Sequence, residues 1–90
     1  MKYKNINGTS GRKSPTGFSS WLGYYMKTNG ITTIPTCAHK GCSNRATVGA
    51  HVKKVGVNNN SWYIIPLCYS CNGLSIDFEI NFNVTPVPVR

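Results

Sequence analysis

All four cysteines of this sequence stand in two short pairs, Cys37-x4-Cys42 and Cys68-x2-Cys71. A thiolate is a strong metal ligand, and each pair is close enough to wrap one side of an ion. Four such ligands complete a tetrahedral zinc site with metal–sulfur bonds of about 2.3 Å. The spacing therefore nominates Cys37, Cys42, Cys68 and Cys71 as zinc ligands. The same residues also allow two disulfides, in more than one pairing. Disulfides belong to oxidising compartments, and Met1–Gly17 lacks the apolar stretch of a secretory signal. An intracellular zinc protein is the expectation. His39, inside the first pair, is a lesser candidate ligand, since four thiolates already fill the tetrahedron. Lys40 beside it would offset the negative charge of a four-thiolate site.

The second group with chemical potential is His51, which stands in a small, apolar run, Gly49-Ala50-His51-Val52. A neutral imidazole there can serve as a general base, ligate a metal, contact nucleic acid, or simply pack. Around it the charge is lopsided. Ten Lys and Arg oppose two acids, for a formal charge of +8. Every base except Arg90 lies between Lys2 and Lys54, and both acids, Asp77 and Glu79, lie beyond that span. Such an asymmetry is the electrostatic footprint of a polyanion-binding surface. Lys2, Lys4, Arg12, Lys13, Arg45, Lys53 and Lys54 are the candidate phosphate contacts. Nucleic acid, DNA in the first instance, is the expected partner, and an acidic protein surface is the alternative. A chain of 90 residues holds one modest core, so a metal cross-link would contribute directly to folding. No apolar run approaches the length of about 18 residues that a membrane helix needs.

Several elements must position these groups. Met1–Gly17 is rich in Lys, Asn, Gly and Ser, and reads as a flexible basic arm; residues 18–90 read as a single domain. Phe18–Lys27 suits a short helix capped by Ser19 or Ser20. It would pack Trp21, Leu22, Tyr25 and Met26 on one face and stop at Asn29-Gly30. Ile31–Pro35 leads in extended form into the first cysteine pair. Arg45–Val57 and Trp62–Leu67 form a hairpin turned at Asn58–Ser61, with His51 on its first arm. A short helix is expected at the second cysteine pair. Leu74–Val84 alternates strictly and reads as a half-buried strand, ended by Pro86 and Pro88.

This arrangement of a knuckle, a hairpin bearing a histidine, and Leu67-Cys68-Tyr69-Ser70-Cys71-Asn72 resembles the treble-clef zinc core of HNH endonucleases. The likeness runs from Thr36 to Ser75. It also resembles small bacterial proteins that share Gly-Ala-His-Val and a Trp-Tyr-Ile-x-Pro-Leu-Cys strand. The resemblance implies that His51 is the general base and that Asn72 helps hold a catalytic magnesium. Two of the family's polar groups are missing. Ala50 stands where the family has Asp, and Tyr63 where it has a central Asn.

The sequence thus points to a small α+β zinc protein with a treble-clef, HNH-like core, flanked by a short helix and a C-terminal strand. Its expected function is nucleic-acid binding on a degenerate HNH-like scaffold. A metal-dependent endonuclease and a zinc-stabilised protein-interaction module or inhibitor are the alternatives.

Overall fold

The computed structural model describes residues 2–6, 13–57 and 61–89. Arg12 and the Asn58–Asn60 turn, both singled out in the sequence, lie outside the described residues. The described chain forms an α+β fold: a five-stranded antiparallel sheet with two helices. The strands are β1 (Lys2–Asn5), β2 (Val48–Lys54), β3 (Trp62–Leu67), β4 (Phe78–Glu79) and β5 (Val87–Val89), in the order β4-β1-β2-β3-β5. The helices are α1 (Trp21–Thr28) and α2 (Tyr69–Asn72). No described helix is long and apolar enough to cross a membrane.

The central hairpin is as the sequence suggests. β2 and β3 pair from Val48↔Leu67 to Val52↔Tyr63, and His51 lies opposite Ile64. Ile64, Ile65, Pro66 and Leu67 are all buried, because each face of the sheet is covered. On one face Ala50, Val52, Ile65 and Leu67 pack with Cys37, Cys68 and Cys71. On the other, Ile64 and Val87 pack under Tyr25 of α1. The sheet therefore separates the cysteine layer from the helix layer, and His51, one residue out of phase with Ala50 and Val52, faces the helix.

α1 begins where Ser20 caps it, its side chain accepting from the Gly23 N–H at 3.0 Å. Leu22 and Tyr25 are buried, and Trp21 and Met26 pack at the margin. Close packing of this helix on β2 depends on Gly49. A Cβ placed there would lie 2.5 Å from the Leu22 nitrogen and from the Trp21 carbonyl carbon.

Two expectations change. The N-terminal residues are not an arm throughout: Lys2–Asn5 form β1, an interior strand between β2 and β4. Tyr3 is the cause. Its ring is buried against Phe78 and the cysteine layer, and burying one aromatic side chain outweighs the polar residues around it. The C-terminal alternation likewise does not yield one strand. Only Phe78–Glu79 form β4, while Ile76 and Phe82 are exposed. Instead of ending a strand, Pro88 lies within β5, opposite Tyr63 on the sheet edge. An edge is where a residue without an N–H is tolerated.

Candidate metal centre and the cleft beside it

The first cysteine pair is a knuckle closed by short backbone bonds. Cys37 N–H donates to Asn44 O at 2.8 Å, and Cys42 N–H to His39 O at 3.0 Å. Gly41 makes the reversal at φ +89°, a conformation costly for any residue with a Cβ. The knuckle docks on the end of β3 through Pro66. Leu67 O accepts from Thr47 N on the β2 side, so the Pro66 backbone faces the other way. There its carbonyl accepts from Ala38 N at 2.7 Å. The second pair follows immediately, with Cys68 capping α2 and Cys71 in its turn.

These contacts bring Cys37, Cys42, Cys68 and Cys71 together, with all four Sγ atoms within 4.8 Å of one another. Cys42 and Cys68 are 3.8 Å apart at sulfur, far beyond the roughly 2.05 Å of a disulfide. All four are free thiols. They are arranged as a metal site, as the spacing suggests. The thiols pull against each other in a way that an ion would resolve. The Cys71 backbone N–H, with help from Asn44, lowers Cys68 to about 6, while burial pushes the Cys71 and Cys37 thiols up. A cation stabilises every thiolate together, so the donor set fits one. Asn44 Nδ2 lies 3.8 Å from Cys68 Sγ, a supporting contact of the kind that orients metal ligands. His39 stands apart from the four sulfurs. Its ring stacks on Phe78 at 5.2 Å, and its backbone bridges Ile80.

Across the sheet end from the sulfurs lies an open cleft of about 910 Å³. Its walls come from the end of β1, the first half of β2, α2, and the segment leading into α1. His51 and Asn72 both line it, as does Lys13. The two residues that the HNH resemblance singles out thus share one cavity. His51 is buried, 6% exposed, with Trp21 edge-on at 4.7 Å and Trp62 at 6.0 Å. Asn5 fixes the cleft floor, its Nδ2 donating to Cys71 O at 3.1 Å and Leu74 O at 2.9 Å. Cys71 O also accepts from the Leu74 N–H at 3.2 Å, so Asn5 adds a side-chain bond to the turn that ends α2. Neither Asp77 nor Glu79 is among the lining residues.

The remaining basic residues divide by face. Lys4 lies directly opposite Lys53, and Lys2 opposite Glu79. Strand alternation puts Lys53 on the same side as His51. Lys54 points the other way, its Nζ 4.8 Å from the centre of the Tyr63 ring. Arg45 is exposed at the knuckle, where it pairs with Thr36. Lys2, Lys4, Lys53 and His51 therefore share a face, while Lys54 and Arg45 do not belong to it. Asn5 and Asn44 escape sequence reasoning, because the groups they hold are distant along the chain. Compared with protein-family models, with curated proteins and with solved structures, the chain matches none.

Proposed function

We propose that this chain is a zinc-stabilised nucleic-acid-binding module on a degenerate, HNH-like treble-clef core. For zinc, the support is chemical and metric. Four thiolates suit that ion, and a tetrahedron with metal–sulfur bonds of about 2.3 Å has edges of about 3.8 Å. The Cys42–Cys68 separation is 3.8 Å.

The observation that carries the nucleic-acid reading is the Lys4↔Lys53 pair. Like charges directly opposite on neighbouring strands destabilise a sheet. On the β4 side of β1 the register sets Glu79 opposite Lys2 and runs on toward Asp77, whereas on the β2 side Lys4 faces Lys53. A bound phosphate offsets that repulsion and makes the pair useful. Replacing both by Ala should weaken oligonucleotide binding about tenfold at low salt, or more, while raising stability slightly. Unchanged affinity in the double variant would remove the basis for this reading.

A second reading, an HNH-type nuclease, is favoured by the shared position of His51 and Asn72 in one cleft. Its magnesium is poorly provided for. Hard cations seek carboxylate oxygens; Ala50 replaces the family's Asp, and no described cleft residue is acidic. The deciding assay is plasmid nicking by zinc-loaded protein with magnesium or manganese, alongside His51→Ala. Binding without cleavage is the expected result. Cleavage that disappears in His51→Ala would establish the nuclease instead.

A further inference from the structure

A duplex keeps the faces of its bases stacked and offers a protein phosphates, sugars and base edges. Aromatic rings lining a cleft that also holds a cation suit a different partner. Phe18, Trp21 and Tyr69 all line the cleft that holds His51, with Lys13 on its wall. Two of these rings are held in place by other aromatics. Phe18 meets Tyr24 edge-on at 5.2 Å, and Trp21 meets Tyr24 at 5.8 Å. Tyr69 differs, being 80% exposed although it follows the buried Cys68 directly. It belongs to neither core cluster, and it lines the cleft. A cavity of about 910 Å³ is large enough for a nucleotide, since small-ligand sites run to roughly 1,000 Å³. Asn72 adds an amide that can both donate to and accept from a base edge. With Lys13 present and no carboxylate among the described lining residues, the cleft complements an anion.

We infer that this cleft receives an unpaired nucleotide, its base against Tyr69 and its phosphate near Lys13, so that the partner is single-stranded nucleic acid. The inference rests on the nucleic-acid reading above and narrows it. Base–aromatic stacking is available only to a base that has left its own stack, and it tolerates any sequence.

The test is fluorescence anisotropy of zinc-loaded protein at low salt. The probes are a labelled oligothymidylate, an oligouridylate of equal length, and a duplex of that length. At least one single strand should bind about tenfold more tightly than the duplex, and Tyr69→Ala should weaken that binding about tenfold. Phe82→Ala, at a fully exposed ring outside the cleft, should leave it unchanged. Metal content measured on each variant confirms that the fold is intact. Equal or tighter duplex binding overturns the inference but leaves the nucleic-acid reading standing. So does an unaffected Tyr69→Ala, or thymidine monophosphate bound as tightly as the strand. Failure to bind any of the three probes overturns the nucleic-acid reading itself.

Discussion

Cys68 sits where several demands meet. It directly follows the most buried strand, stands at the N-cap position of α2 and lies 3.8 Å from Cys42 at sulfur. Replacing it with Ser removes a metal ligand and leaves a hydroxyl among buried thiols. Losing a structural metal is among the few single changes worth more than about 4 kcal/mol. Cys68→Ser should therefore lack both stoichiometric metal and a cooperative thermal transition, checked by metal analysis and circular dichroism. Gly49 is a subtler case. A methyl there meets α1 backbone at 2.5 Å, and backbone cannot rotate away as a side-chain tip can. Gly49→Ala should cost about 2–3 kcal/mol in urea unfolding, with metal content unchanged. At this scale the metal site was legible, because ligand chemistry and short spacing are local. His51 and Asn72, 21 positions apart in the sequence, line one cleft. Asn5 was not legible: its acceptor Cys71 O is 66 positions away, and no local pattern marks such a bond.

Among the elements, the hairpin and α1 were readable because each carries its own signal. Ser20 caps the helix, and β-branched and aromatic residues fill the strands. β1 carries almost none, since four residues with two lysines give alternation too little length to register. Its place comes from tertiary contacts alone. Tyr3→Ala should accordingly cost about 3–4 kcal/mol, and should speed hydrogen exchange in β4, which pairs with β1. Full stability in that variant would mean that β1 is dispensable. The tail misled for the opposite reason. Period-two alternation from Leu74 to Val84 is clear, yet Asn81 N–H donates to Ala38 O and Lys40 N–H to Glu79 O. The knuckle captures this backbone after two strand residues, and Phe82 is left in solvent. Alternation describes which residues can share a face; it does not say that a neighbouring strand is present to pair with them.

For the molecule as a whole, the two faces of one sheet differ in chemistry. The cysteine layer joins residues from β3, α2 and the knuckle into a single cluster, and the helix face carries the facing Lys4–Lys53 pair. Removing the ion should unfold the protein cooperatively. A high-affinity chelator is expected to abolish the far-ultraviolet sheet signal, and added zinc to restore it. A fold that survives chelation would make the four thiols incidental. The measurement that bears most directly on the function is the salt dependence of binding between zinc-loaded protein and a short oligonucleotide. If Lys4, Lys53 and Lys13 each neutralise a phosphate, log K should fall linearly with log salt, with a slope of about −2 to −3. In the Lys4→Ala/Lys53→Ala variant the slope should flatten to about −1. A wild-type slope near zero, or one that the double substitution does not change, would contradict the proposal that this face binds nucleic acid.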